Sequence, residues 1–158
     1  MKYVISILLF VLFIGCSENN EIPEEQLFLK SYLENKGYRV ISYEGRIDEY
    51  ELTKEIIVSL PYMMYWGLQS SSPSHYFGKN ISIEKFIVTN HPLTARKVDV
   101  YVYNVDERPI GGTSHPHGEA LSAGGYWSLE GKTLEEVQAV SYVEWSKDWI
   151  HKYKNMKR

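Results

Sequence analysis

Hydrophobic residues recur with helical spacing at both ends of the chain and with strand spacing between them. Near the N-terminus, Leu29, Tyr32 and Leu33 share one helix face. Pro23 suits the first turn of this helix, and Gly37 suits the position just past its end. We therefore predict a first helix between these two residues.

A second helix is predicted at the C-terminus. Its apolar stripe consists of four aromatic residues, Tyr142, Trp145, Trp149 and Tyr153. Ser141 and Glu144 have the spacing of a capping box, in which the hydroxyl caps the first turn and the glutamate reaches back. The sequence therefore predicts a capped helix with one apolar side.

The first strand-rich stretch follows the first helix. Residues 38–43 have strand-forming side chains, Gly45 suits a turn, and residues 46–52 are predicted to return as a second strand. Thr53 then suits the N-cap of a short helix that Pro61 stops. The aromatic segment after this proline fits either a helix or a strand by its periodicity.

The centre of the chain is rich in strands. Residues 80–90 are predicted to form a strand with a bulge near Glu84, where the alternation of apolar and polar residues slips. Apolar and polar residues alternate over 98–103, which predicts a half-buried strand. Residues 110–113 begin its return, and residues 124–129 form a further predicted strand.

These elements predict one α+β domain over residues 23–158. An antiparallel sheet of about four to six strands is flanked by an N-terminal and a C-terminal helix. The length of 158 residues suits a single domain with its own core. The net charge is -3, from 17 basic and 20 acidic residues. Such a mildly acidic protein lacks the broad cationic surface that nucleic-acid binding requires.

The N-terminal residues before this domain have a different pattern of apolar and polar residues. Residues 4–15 are apolar apart from Ser6, and the chain becomes polar directly after Cys16. The run is shorter than the roughly 20 residues that cross a bilayer, and it suits a signal peptide. The segment Leu12–Cys16 resembles the lipobox of bacterial lipoproteins, in which a small residue, here Gly15, precedes the cysteine.

The resemblance implies cleavage between Gly15 and Cys16 and a diacylglyceryl group on Cys16 Sγ. Residues 1–15 are then a lipoprotein signal peptide, and residues 16–22 are the lipidated cysteine and a short tether. The six residues after the cysteine reach at most about 20 Å. The expected location is the extracytoplasmic face of the cell membrane, or the outer membrane in a Gram-negative cell. An ordinary secretory signal and an uncleaved anchor are the alternatives.

A candidate metal site lies in a predicted loop over residues 115–122. His115, His117 and Glu119 place two imidazoles and a carboxylate close together, a donor set that suits Zn²⁺ or Cu²⁺. A fourth ligand would come from His75, His91 or water. The alternative is a solvated loop that happens to contain two histidines.

Aromatic residues form the second candidate site. They are Tyr62, Tyr65, Trp66, Tyr101, Tyr103, Tyr126 and Trp127. The strongest candidates for ligand binding are Tyr101, Tyr103, Tyr126 and Trp127, which would line a groove for a peptide or a glycan. The alternative is that helices pack over this face and bury these side chains.

The sequence contains no Gly-x-Ser-x-Gly elbow and no His-Glu-x-x-His helix. We therefore expect a non-enzymatic lipoprotein without a cofactor, which binds a protein, peptide or glycan at the cell surface. A metal- or small-ligand-binding lipoprotein and an envelope hydrolase are the alternatives. Residues 100–103, 110–113 and 125–134 also resemble small uncharacterised lipoproteins of Gram-positive bacteria, a resemblance that implies no activity.

Overall fold

The computed structural model describes residues 22–119 and 125–156. The predicted signal peptide, the cleavage site at Gly15, the lipidation site at Cys16 and the tether up to residue 21 lie outside the described residues. Residues 120–124, which include part of the predicted loop over 115–122, also lie outside them.

The described residues form an α+β domain with a five-stranded antiparallel sheet, in the order β1-β2-β3-β4-β5. The strands are β1 (Arg39–Glu51), β2 (Asn80–Thr89), β3 (Val98–Val105), β4 (Arg108–Pro116) and β5 (Trp127–Ser128). The helices are α1 (Leu27–Asn35), α2 (Lys54–Ile57), α3 (Tyr62–Gly67), α4 (Leu134–Gln138) and α5 (Tyr142–Lys154). Short 3-10 turns span Glu24–Gln26 and Pro73–Tyr76. The predicted fold class is confirmed.

Helices cover both faces of the sheet. Helix α1 packs Leu29 and Leu33 on one face, against a cluster that includes Val100. Helices α2 to α5 pack on the opposite face, where Trp66 and Tyr103 are fully buried. The prediction that the strand at 98–103 is half-buried is therefore wrong, because its two faces belong to two separate cores.

Strand β1 is continuous, whereas two strands with a turn at Gly45 were expected. Gly45 has a φ of +94° and lies at one of three register shifts between β1 and β2. The bulge predicted in β2 near Glu84 is wrong, because β2 pairs with β3 without a register shift and the shifts against β2 place the extra residues in β1. Bulges twist an edge strand and hinder its pairing with another chain, so they suit the outermost strand of the sheet.

The helix boundaries follow local capping. The N–H of Ile56 donates to Thr53 Oγ1 over 3.3 Å, so Thr53 caps α2 as expected. This helix ends at Ile57, before the expected end at Pro61, and the aromatic segment after the proline forms α3. The Ser141 hydroxyl caps α5 as expected.

The complete capping box occurs at α4. The N–H of Glu136 donates to Thr133 Oγ1, and the N–H of Thr133 donates to the Glu136 carboxylate. The sequence shows the same three-residue spacing at Thr133 and Glu136 as at the start of α5. This spacing predicts the start of α4 in the same way as it predicts the start of α5.

The side-chain amide of Gln69 joins α3 to β4. The N–H of Gly112 donates to Gln69 Oε1 over 2.7 Å, and Gln69 Nε2 donates to the carbonyls of Gly112 and Tyr65 over 3.2 and 2.8 Å. The amide therefore pairs with the edge of β4 as a neighbouring strand would. Gly111 leaves the space for it, since a Cβ there would collide with Gln69 Oε1.

A buried histidine holds the segment that follows β5. The N–H of Leu93 donates to His91 Nδ1 over 3.1 Å, so His91 Nε2 carries the proton and donates to the carbonyl of Leu129 over 2.9 Å. The hydroxyl of Tyr38 donates to the same carbonyl over 2.8 Å. Burial lowers the pKa of His91 below its usual 6.5, and the Leu129 carbonyl opposes this shift.

We predict that Gly111→Ala destabilises the protein more than Gly118→Ala does. Both glycines have positive φ, +149° and +78°, but a Cβ at Gly118 meets nothing within 4 Å. Gly118→Ala should therefore cost only the strain of that conformation, about 1 kcal/mol. Gly111→Ala also displaces the Gln69 amide and should cost about 2 kcal/mol or more. Urea unfolding measures both changes, and equal losses would contradict the role of Gln69.

We also predict that His91 makes stability depend on pH. Because the folded state resists protonation of His91, added protons favour the unfolded chain. The free energy of unfolding should fall as the pH drops from about 7.5 to about 5.5, through the unfolded pKa, and His91→Gln should reduce this fall. Urea unfolding at both pH values tests it. An equal fall in both proteins would show that His91 does not contribute.

Candidate functional site

Three half-buried tyrosines meet beside β5. Tyr65 comes from α3, Tyr101 from β3, and Tyr126 directly precedes β5. The ring centroids of Tyr65 and Tyr126 are 5.0 Å apart with an interplanar angle of 78°, and those of Tyr101 and Tyr126 are 5.7 Å apart at 69°. The ring of Tyr126 therefore stands nearly perpendicular to each of its two neighbours.

These rings line a cavity of about 180 Å³, which we call the tyrosine cavity. Its lining residues are Ile47, Asp48, Tyr65, Ile83, Tyr101, Tyr103, Thr113 and Tyr126. Three of them, Ile83, Tyr103 and Thr113, are at most 3% exposed and form the buried end of the cavity. The half-buried tyrosines and the carboxylate of Asp48 line the remainder.

Asp48 gives the tyrosine cavity its negative charge. Its Oδ1 accepts from the N–H of Glu49 over 2.8 Å, and its Oδ2 makes a long contact of 3.5 Å with the Tyr62 hydroxyl. None of the ion pairs found within 22–119 and 125–156 includes Asp48. Its carboxylate therefore keeps lone pairs that no cation of the described chain uses.

The tyrosine hydroxyls stay protonated near neutral pH. Burial, followed by the neighbouring Tyr126, raises the pKa of Tyr65 to about 12. Burial also raises the pKa of Tyr101 and of Tyr126. The rings therefore present neutral π faces and neutral hydroxyls to the cavity.

An apolar groove of about 470 Å³ adjoins the tyrosine cavity. Its lining residues are Leu60, Met64, Tyr126, Trp127, Thr133, Leu134, Glu135 and Tyr142. Leu60 is 65% exposed and Tyr142 is 40% exposed. Tyr126 lines both the groove and the cavity, so the two depressions lie next to each other.

The structure brings together part of the aromatic site predicted from the sequence. Tyr101 and Tyr126 lie in contact at the tyrosine cavity, and Trp127 lies in the apolar groove. Tyr103 is 1% exposed and packs against Trp66, so its side chain has almost no accessible surface in this conformation. The helices bury one side of this face and leave the other side open.

Sequence reasoning missed Asp48 and Leu60 as site residues. Asp48 reaches the cavity because it pairs with Ile83 across the β1–β2 register, which local pattern does not reveal. Leu60 lies in the connection between α2 and α3. The local sequence gives one indication of its exposure, which is that this large apolar residue directly precedes Pro61.

The three predicted metal ligands point to different partners. His115 lies in β4, is 4% exposed and contacts the rings of Tyr126 and Trp127. His117 Nδ1 lies 2.7 Å from Asp99 Oδ1, and Glu119 pairs with Arg96 over 3.2 Å. Within the described part of the chain, no group of three His, Cys, Asp or Glu side chains is placed to hold a metal ion.

The prediction that a loop begins at His115 is wrong, because β4 continues to Pro116. The strand places His115 beside Asp99 of β3 in the sheet register. Asp99 also pairs with Lys85 Nζ over 3.0 Å, so its carboxylate serves a cation and an imidazole together. This arrangement orders the polar end of the sheet face that carries Tyr101.

The Ser114 hydroxyl is not hydrogen-bonded to a histidine, as the nucleophile of a serine hydrolase would be. Its hydroxyl is fully buried and donates to the carbonyl of Ser128 over 2.8 Å, which ties β4 to β5. The polar partner of His117 is the carboxylate of Asp99. These hydroxyl and imidazole groups therefore have structural partners.

No described helix is long and apolar enough to cross a bilayer. No protein-family model matches the chain, and neither a curated protein nor a solved structure matches it.

Proposed function

We propose that this chain is a membrane-anchored bacterial lipoprotein whose domain acts without catalysis, by binding a peptide segment of a partner protein in the apolar groove. The lipid on Cys16 holds the domain at the extracytoplasmic face of the membrane. The observation that carries the binding proposal is the exposure of Leu60 and Tyr142 at the rim of a groove of about 470 Å³.

Exposed apolar side chains around a concavity are typical of interaction sites. Val140 and Val143, which lie within two residues of Tyr142 in the sequence, are also exposed, at 37% and 61%. Single exposed apolar residues are common on protein surfaces, whereas a contiguous set beside a groove marks a place where a partner excludes water. The rim therefore gains stability when a partner covers it.

The groove lining favours a peptide over a glycan. Leu60, Met64 and Leu134 supply aliphatic surface beside the aromatic rings. Aliphatic and aromatic side chains together suit the apolar anchor of a peptide, whereas a glycan also needs polar groups that bond its hydroxyls. Glu135 is the acidic residue of the lining, so a basic residue beside the anchor is complementary in charge.

The position of the tether supports access to the groove. Ile22, the first described residue, packs with the core cluster on the α1 face of the sheet. The groove lies among α3, α4 and α5 on the opposite face. A short tether that leaves the α1 face therefore keeps the groove open to a partner.

We predict that Leu60→Asp weakens peptide binding to the groove. Peptides selected from a random display library on the wild-type protein should bind Leu60→Asp at least about ten-fold more weakly, since burying a leucine contributes about 1.5–3 kcal/mol. Leu27→Asp is the matched control, because Leu27 is 44% exposed and lies in α1 on the other face.

Fluorescence anisotropy with labelled peptides measures the affinities. Equal binding to the wild type and to Leu60→Asp, or a failure to select any peptide, would refute the groove as the binding site. Loss of binding in Leu27→Asp would count against it too, since that change lies outside the groove.

The anchor generates a separate prediction at Cys16. Mass spectrometry of the N-terminal peptide from the native host should show Cys16 at the N-terminus with a diacylglyceryl modification, because a chain cleaved at a lipobox begins with the lipidated cysteine. Cys16→Ala should leave an uncleaved precursor or release the domain from the membrane fraction. A free thiol at Cys16 in the mature protein would contradict lipidation.

A further inference from the structure

We propose that the tyrosine cavity binds an organic ammonium group, either the side chain of a lysine or a small alkylammonium headgroup. The inference rests on the proposed function, because the cavity lies next to the apolar groove and shares Tyr126 with it. It assigns the cavity a ligand chemistry different from that of the groove.

The ring geometry supplies a cage for a cation. Tyr126 stands at 78° to Tyr65 and at 69° to Tyr101, with centroid distances of 5.0 and 5.7 Å. All three rings line the cavity, and each carries negative partial charge on its π faces and positive partial charge at its edge. The π face of an aromatic ring attracts a cation within about 6 Å of its centroid, and several rings together form the cages that bind alkylammonium groups.

The carboxylate of Asp48 supplies the countercharge. It lines the cavity, and its contacts are the Glu49 N–H and the Tyr62 hydroxyl. A cation that enters the cavity therefore gains a carboxylate that forms no ion pair with a described residue. The same carboxylate repels an anion, although the tyrosine hydroxyls are able to donate to one.

Lys85 is the cation that already lies near this cluster. Its Nζ lies 5.9 Å from the ring centroid of Tyr101 and 3.0 Å from Asp99 Oδ2. Asp99 therefore neutralises Lys85 without drawing on Asp48. The contact also shows that the ring of Tyr101 accepts an ammonium group at cation–π distance.

The volume of the cavity sets the size of the ligand. At about 180 Å³ it is smaller than the roughly 300–1,000 Å³ of pockets for drug-sized molecules. It equals the liquid volume of about six water molecules, at about 30 Å³ each. A methylated ammonium or the end of a lysine side chain matches this space, whereas an oligosaccharide does not.

The test is a titration of the full chain in micelles of a neutral maltoside detergent at constant ionic strength. Tetramethylammonium and butylammonium chlorides are the cationic probes, and neopentyl alcohol is the neutral probe of similar shape. NMR of labelled tyrosine rings reports binding. We expect both cations to cause saturable chemical-shift changes. The alcohol should bind with an affinity at least about five-fold lower.

Variants assign the site. Asp48→Asn removes the charge with little change of shape, and it should weaken cation binding at least about five-fold. Asp148→Asn is the control, because Asp148 is an exposed carboxylate on α5. Tyr65→Leu should also weaken binding, whereas Tyr65→Phe, which keeps the ring, should retain it.

Three results would overturn the proposal: no saturable shift with either cation, equal binding of the neutral alcohol, or unchanged binding in Asp48→Asn. Loss of binding in Tyr65→Phe would also overturn it, since the ring face would then not be the binding element. If selected peptides bind the groove while the ammonium probes fail, the cavity proposal alone falls.

Two further arms identify the source of the ammonium group. Groove-binding peptides that contain lysine are compared with the same peptides acetylated on that lysine, which removes the charge. Phosphocholine and glycerophosphoethanolamine are the headgroup probes. A preference for the unmodified peptide supports a peptide source, and saturable binding of a headgroup probe supports a lipid source.

Discussion

The amide of Gln69 is the contact on which the geometry of the binding surface depends. It is 5% exposed, and it bonds the N–H and the carbonyl of Gly112 as well as the carbonyl of Tyr65. A side chain thereby continues the sheet beyond β4 and fixes the end of α3 to it. If it were removed, buried backbone groups would lose their partners, and Tyr65 would lose its fixed position relative to Tyr126.

The burial of both sheet faces explains where a binding surface can lie. The centre of β3 is covered by α1 on one side and largely by the other helices on the opposite side, where Tyr103 is 1% exposed. The helices α3 and α4 are only six and five residues long, and they leave Tyr101 and Tyr126 partly exposed. The tyrosine cavity and the apolar groove therefore occur where the helical cover ends. The proposed binding therefore depends on the short length of these helices.

Sequence reasoning succeeded where structure depends on local pattern. The two flanking helices, the N-caps at Thr53 and Ser141, and the fold class follow from spacing and capping residues. It failed where distant segments decide the outcome: the β1–β2 register brings Asp48 to the cavity, and the second group of helices buries Tyr103. The three predicted metal ligands have separate partners for the same reason, since Asp99 and Arg96 come from another segment to pair with His117 and Glu119.

The binding surface is also coupled to the opposite face of the sheet. Strand β5 has only two residues, so Tyr126 and Trp127 need support from outside the ladder. The carbonyl of Leu129 provides it, because it accepts hydrogen bonds from both Tyr38 and His91. Tyr38 belongs to the core cluster on the α1 face of the sheet, against which Ile22 also packs. The α1 face of the sheet therefore helps to hold the segment that carries Tyr126, the residue shared by the groove and the cavity, through the two hydrogen bonds to the Leu129 carbonyl.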